Sequence, residues 1–348
     1  MIILGIESSC DETAAAVVKD GQTILSSVVA SSLSLHQKTG GIIPEVAARE
    51  QIKCIIPVIE ESIKGIKSLD AIAVTVGPGL IGSLLVGIET AKTLAYVWNK
   101  PLIPINHLVG HLYANWLGTN NKQLTTNNIV EPEFPALALV VSGGHTDLVL
   151  MKGHNQIEWI GGTRDDAAGE CFDKCARLLE LGYPGGPAIS AAAEKFTIHP
   201  LPSTIHLPRP MIHDDNFDFS FSGLKTAVLR EVQILKDKKQ FNNLTIQQLA
   251  YELQEAICEV LVSKTLKAAE KYQVKSLLLA GGVSANTHLR ELFQSSIINH
   301  LPSLKLFVPP SNLCTDNAAY IASCAFYHNK PKPWQKITPD PGLTITGL

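Results

Sequence analysis

Two histidines, His107 and His111, stand four residues apart just past a short apolar run at 102–105. The run reads as the end of a strand and residues 106–117 as a helix, on which positions i and i+4 share one face. Both imidazoles then point at one spot, which is half of a metal site. Imidazole suits zinc, iron, copper or nickel. A third ligand must come from elsewhere in the chain, and Asp316 is the best candidate. It lies in Cys314-Thr315-Asp316-Asn317, at the expected start of the last helix, where an aspartate can also serve simply as a cap. Two histidines and one carboxylate with open positions suit Fe(II), with zinc the close rival. The plainer reading of the histidine pair is two polar groups lining a pocket.

Other stretches carry groups that suit a ligand. Ser142-Gly143-Gly144 is a small-residue turn between two expected strands, and Ser8-Ser9 is another; free backbone N–H groups in such turns make anion nests. Residues 277–286 read as a buried strand running into Gly281-Gly282 and a helix whose N-cap is expected at Ser284. Glycines there allow close approach of a flat ligand, and Asn286 can both donate and accept. Asp165, Asp166, Glu170 and Asp173 crowd the start of one helix. Acids there complement the helix dipole, and Asp166, Glu170 and Asp173 can also meet ligand hydroxyls. Gly77-Pro78-Gly79-Leu80-Ile81-Gly82 matches G-x-G-x-x-G, but the next strand ends without the acid that a dinucleotide fold needs. Pro78 also removes one loop donor. A tight turn for helix packing is the better reading. No P-loop sequence occurs.

The elements that position these groups form a repeating plan. Residues 2–7, a polar turn at 8–12 and residues 13–18 read as strand, turn, strand. Residues 137–141, 142–145 and 146–151 repeat it. Strands alternating with helices elsewhere argue for an α/β protein of two related lobes facing a cleft. Within the 348 residues, 45% are hydrophobic and 18% charged, enough for a core in each lobe, and the net charge of −3 gives no support to nucleic-acid binding. The seven cysteines are odd in number and lack a C-x-x-C pair, which fits reduced, buried thiols in a cytoplasmic protein. Cys171 and Cys175 share a helix face as packing. The most apolar long stretch, 80–98, is broken by Glu89 and Lys92 and reads as a buried helix, not a membrane span. The N-terminus runs straight into a strand, so no leader is expected. Residues 120–133 read as a surface loop and the tail after Asn329 as extended and loosely held. Ser83, Gly87, Ala91 and Ala95 recur every four residues; this stripe packs either on the chain's own sheet or on a partner helix.

Residues 92–112, Ser142-Gly143-Gly144-His145-Thr146, residues 165–174, Phe219-Ser220-Phe221-Ser222-Gly223-Leu224-Lys225-Thr226, residues 280–286 and Cys314-Thr315-Asp316-Asn317 together resemble the TsaD family, the tRNA N6-adenosine threonylcarbamoyltransferases of bacterial type. The resemblance runs from about residue 3 to residue 325. It implies an α/β fold of two related lobes of the actin-like ATPase (ASKHA) type with a ligand cleft between them. The expected boundaries are 1–134 for the N-terminal lobe, 135–313 for the C-terminal lobe, 314–328 for a returning helix and 329–348 for the tail. It implies an acyltransferase that moves threonylcarbamoyl from threonylcarbamoyl-adenylate to N6 of adenosine 37 in tRNAs reading ANN codons, forming t6A and releasing AMP. By this resemblance His107, His111 and Asp316 bind one divalent metal, Fe(II) favoured and zinc or magnesium possible. Val140, Val141, Ser142, Gly143, Gly144, Asp173, Gly186 and Asn286 line the donor site. The partners implied are tRNA, a TsaB-like paralogue and a TsaE-like ATPase, with no membrane. Asp11 or Glu12 is the candidate base for the N6 proton. The sequence departs from the family at Val109, where many bacterial relatives carry Glu; no ligand is lost.

Two rival activities are weaker. A zincin needs H-E-x-x-H, and Leu108 replaces that Glu. An ATPase or kinase of the same fold would hold Mg²⁺ through carboxylates and phosphate rather than through two histidines.

Overall fold

The structure, a computed structural model, describes residues 1–39, 41–118, 131–197 and 205–347. Most of the expected 120–133 loop lies outside the described residues, as do residues 198–204. The chain forms two compact units. One comprises Met1–Glu133, Lys152–Ile157 and Pro309–Leu348; the other comprises Phe134–Met151 and Glu158–Val308.

The first unit opens with β1 (Ile2–Glu7), β2 (Glu12–Lys19) and β3 (Thr23–Ser31). It continues with α1 (Leu33–Thr39), α2 (Pro44–Ile63), β4 (Ala71–Gly77), α3 (Ile81–Val97), β5 (Leu102–Asn106) and α4 (His107–Tyr113). Its sheet runs β3-β2-β1-β4-β5. β1 is antiparallel to β2 and parallel to β4, and β4 is parallel to β5. β4 and β5 are buried throughout, as continuous apolar runs covered on both faces should be. The edge strand β3 alternates between exposed and half-buried positions.

The second unit holds β6 (Ala136–Val141), β7 (Thr146–Gly153), β8 (Gln156–Gly162), α5 (Ala168–Leu178), α6 (Gly185–Thr197), α7 (Ser222–Asp237), α8 (Asn243–Lys271), β9 (Ser276–Ala280), α9 (Thr287–His300) and β10 (Lys305–Phe307). Its sheet, β10-β9-β6-β7-β8, has the same order as the first when matched strand for strand. β6 is antiparallel to β7 and parallel to β9, as β1 is to β2 and β4. The repeat suggested by two hairpins is therefore a duplication of a whole five-stranded sheet. The chain then returns to the first unit as α10 (Ser311–Cys314) and α11 (Ala319–His328). Among the described residues no helix is long and apolar enough to cross a membrane.

Several expectations are corrected here. Ser83, Gly87 and Ala91 are buried in the first unit's own core beside Leu84 and Ile88, and a Cβ on Gly87 would collide with the Ser8 hydroxyl. The small-residue stripe is internal, so it offers nothing to a partner. The glycine-rich loop is explained by the C-terminal tail: a Cβ on Gly77 would collide with the Asp340 carbonyl, and Asp340 N donates to Val76 O at 2.7 Å. That tail is extended but firmly held. Ile337 and Ile345 are buried, and Lys332 N donates to Leu102 O at 2.9 Å. Four elements had no clear sequence signal: α1, β8, α6 and α10. β8 is buried only at its last two residues and lacks a clean alternation, and α6 opens on glycines and a proline that read as a turn.

Because Ala91 is wholly buried, Ala91→Leu should destabilise the isolated chain by about 1–3 kcal/mol through overpacking. Urea denaturation of the first unit's transition reads this directly; an unchanged midpoint would return the stripe to the surface.

Candidate metal centre

α4 begins where Asn106 ends β5. The Asn106 side-chain oxygen accepts from Leu108 N at 2.9 Å and Val109 N at 3.4 Å, satisfying helix donors that would otherwise lack partners. Its amide nitrogen donates to Thr344 O at 2.8 Å and Gly347 O at 3.0 Å. One side chain thus ties the strand end, the helix start and the tail together. On the helix that follows, the rings of His107 and His111 lie 4.6 Å apart by their centroids.

Asp316 meets them from the segment between α10 and α11. Its Oδ1 is 3.3 Å from His111 Nε2 and 3.7 Å from His107 Nε2. One ligand atom from each of the three residues lies within 4.8 Å of the others, a spacing that can hold a metal ion. The expectation that Asp316 stands at the start of the last helix is corrected. That helix starts at Ala319, and the neighbouring Asn317 accepts from Ala319 N at 3.0 Å and Tyr320 N at 3.4 Å. Asn317 does the capping, and the Asp316 carboxylate is left free to face the histidines.

The site is electrostatically tight. Burial pushes the His107 imidazolium down, but the carboxylates of Glu7 and Asp316 more than offset it and lift it to about 9. His111 moves the other way, because burial dominates and His107 adds repulsion. Burial raises the Asp316 carboxyl, yet His107 and His111 outweigh it and hold it near about 2. Asp316 is therefore an anion and His111 a neutral imidazole, both ready to ligate, while His107 must give up a proton first.

Glu12 feels the same group. Burial, then the negative charges of Asp316 and Asp11, push its carboxyl up to about 9, and a hydrogen bond joins it to Asp11. Ser31 Oγ donates to Glu12 Oε1 at 3.3 Å. Sequence reading missed Glu7, which is wholly buried. The signal was an acid closing the apolar strand IILGIE, where burial of a charge demands a partner.

In the second unit some of the expected donor residues lie at or follow the C-terminal ends of β6 and β9, while Asp173 and Gly186 lie on α5 and α6. Val140 and Val141 end β6, and the 142–145 turn closes with Ser142 N donating to His145 O at 2.9 Å. A Cβ on Gly143 or Gly144 would meet nothing within 4 Å, so that face of the turn is open. Gly169 N, in the first turn of α5, donates to Ser142 O at 3.2 Å. Asp173, whose carboxyl burial pushes up, accepts from Gly185 N at 2.6 Å, next to Gly186 at the start of α6. Asn286, not Ser284, caps α9, accepting from Leu289 N at 2.9 Å. Its amide donates to Ser190 Oγ at 2.9 Å and Gln254 Oε1 at 3.0 Å. The crowded acids before α5 are mostly engaged within the protein. Asp165 accepts from Phe221 N at 2.8 Å and Ser222 N at 3.1 Å, and Lys174 pairs with Asp166 and Glu170, each at 2.8 Å. Cys171 and Cys175 are buried with sulfurs 3.9 Å apart.

Solved structures with this fold include component A of the (R)-2-hydroxyglutaryl-CoA dehydratase of Acidaminococcus fermentans, with a TM-score of 0.51 at 14% identity over 94% of this chain and 98% of that one. HypF of T. kodakarensis gives 0.54 at 12% identity, over 93% of this chain and 47% of its own. The fold is of the actin-like type, and the class is a transferase built on it. Residues 23–323 match the profile of tRNA N6-adenosine threonylcarbamoyltransferase, and the chain belongs to that family, TsaD. Relatives bearing that name include one from Thermomicrobium roseum, 49% identical over 94% of this chain and 92% of its own length. Another, from Listeria welshimeri, is 48% identical over 100% of this chain and 97% of its own.

Two outcomes follow from the geometry. His111→Ala should remove most bound metal, by elemental analysis, while the circular dichroism spectrum stays native; full occupancy in that variant would rule this group out as the metal site. Because a proton must leave His107, whose pKa stands at about 9, affinity for a divalent metal should rise by up to about tenfold per pH unit from neutrality towards that value and then level off. Metal titrations across that range check the slope.

Proposed function

We propose that this chain transfers the threonylcarbamoyl group of threonylcarbamoyl-adenylate to N6 of adenosine 37 in tRNAs reading ANN codons, forming t6A and releasing AMP. The observation that carries the reading is the convergence of His107, His111 and Asp316 in a member of this family. The donor is a mixed carbonic–phosphoric anhydride and already activated, so the protein has to place it and stabilise charge gathering on its oxygens. His107, His111 and Asp316 hold a divalent metal, Fe(II) or zinc, which when bound supplies Lewis-acid stabilisation of that charge.

The adenylate lies against Val140, Val141 and the open Ser142–Gly143–Gly144 turn, with Asp173 and Gly186 beside it. Asn286 is committed to Ser190, Gln254 and Leu289, so it contributes by fixing the turn from which α9 starts. N6 of the adenosine attacks the carbamoyl carbon, the carbon–oxygen bond to phosphate breaks, and the amine proton passes to a carboxylate. Asp11 is the acceptor within its pair, because Glu12 retains its own proton to about 9.

The tRNA substrate places the reaction in the cytoplasm. A TsaB-like paralogue docks on the outer sides of α2 and α3, where Ile52 (65% exposed), Ile56 (48%), Ile81 (52%) and Leu85 (41%) are apolar and open to solvent. A TsaE-like ATPase completes the system.

Reconstitution of the metal-loaded chain with donor, tRNA and both partner proteins should yield t6A, scored by mass spectrometry of the nucleosides. No modified adenosine, together with cleavage of a peptide library, would favour proteolysis instead. For the donor turn, Gly143→Val has room to fold, yet it should weaken AMP binding at least about tenfold by calorimetry, a contact cost of about 1.4 kcal/mol. Unchanged affinity would move the adenylate away from this turn.

A further inference from the structure

We infer that Glu7 is a positioning residue for the metal group, acting through His107; the inference rests on the metal reading above. Glu7 closes β1 and is wholly buried. A carboxylate so placed needs every lone pair matched. Its Oε1 accepts from Ser9 N at 2.6 Å. Its Oε2 accepts from the Thr75 hydroxyl on β4 and lies 3.1 Å from His107 Nδ1. Ser9 Oγ lies 3.2 Å from the same ring nitrogen.

A carboxylate only accepts, so the His107 nitrogen facing it carries the hydrogen. That assigns Nδ1–H to the Glu7 side, so the proton His107 gives up on binding a metal is the one on Nε2, whose lone pair then lies on the side of Asp316, 3.7 Å away. The arrangement is a carboxylate–histidine pair behind a ligand atom, which orients the ring and makes its other nitrogen a better donor. The two histidines differ in this respect. His111 Nδ1 is buried and has no hydrogen-bond partner among the described residues. Only His107 is held from behind, and it is held by the central strand of the sheet. The Ser9 and Thr75 donors fix the carboxylate in turn, so the ring's orientation is set by β1 and β4 rather than by α4 alone.

The test uses metal-free full-length protein and Co(II), titrated in competition with a chromophoric chelator. Glu7→Gln keeps the side-chain shape but removes the charge and one acceptor. It should lower Co(II) affinity by about 10–100-fold and change the visible absorption of the bound ion. In a His107→Ala background the same change should cost no more than about threefold, because the residue through which it acts is gone. An equal loss in both backgrounds, or wild-type affinity in Glu7→Gln, overturns the inference. Should Glu7→Gln fail to fold, Thr75→Val decides: it keeps the carboxylate but removes one group that fixes it. A drop in affinity supports the assignment and an unchanged affinity overturns it. Wild-type protein that takes up no Co(II), Fe(II) or zinc overturns the metal reading itself, a result distinct from all of these.

Discussion

Burial of like and unlike charge at the end of β1 is the constraint on which the first unit is built. Glu7, His107, His111 and Asp316 sit close together with little water to screen them. Apart, each would pay a large desolvation penalty. Together they compensate: two carboxylates keep one imidazole charged while burial keeps the other neutral. Such a cluster persists only if the surrounding backbone is rigid. Here that backbone is a five-stranded sheet with buried inner strands, an asparagine-capped helix start and a tail hydrogen-bonded across both. A divalent cation would replace the proton on His107 and complete the neutralisation.

The duplication of the sheet explains where the clustered histidines and aspartate come from. In each repeat the fifth strand is followed by a helical segment: α4 after β5, and α10 with α11 after β10. The first supplies both histidines. The second returns to the first unit and supplies the aspartate. The turns between the first two strands of each repeat have diverged in chemistry. In the first unit that turn carries Asp11, with Glu12 opening the next strand; in the second it carries Gly143 and Gly144 with open space above them. Carboxyls suit proton transfer and bare backbone amides suit an anion, so the two copies of one scaffold differ in what their turns can offer.

Motif and period made several parts of the chain legible in advance. The i, i+4 spacing of His107 and His111 put both rings on one helix face. The strand–turn–strand pattern located both hairpins, and β1 and β9 fall at the expected residues. The helical period of α8 shows in Leu249, Leu253, Ile257, Val260 and Leu261, all of them buried. Where local signals were ambiguous, the wrong alternative could win. Small residues at every fourth position suit any close contact, and only packing shows that Gly87 faces Ser8. Aspartate and asparagine cap helices equally well, so sequence could not tell that Asn317 caps α11 while Asp316 does not.

By itself, then, the sequence determined the class of fold, the family and the placing of both histidines on one helix face, because these depend on residue identity at short, fixed separations. The tertiary structure decided which groups share a charge environment. Glu7 lies 100 residues from His107 in sequence, and Thr75 lies 68 from Glu7. No local period links them. Only the pairing of β1 with β4 and of β4 with β5 brings those strand ends together, and it is burial at that junction that turns an ordinary glutamate into a partner for a histidine.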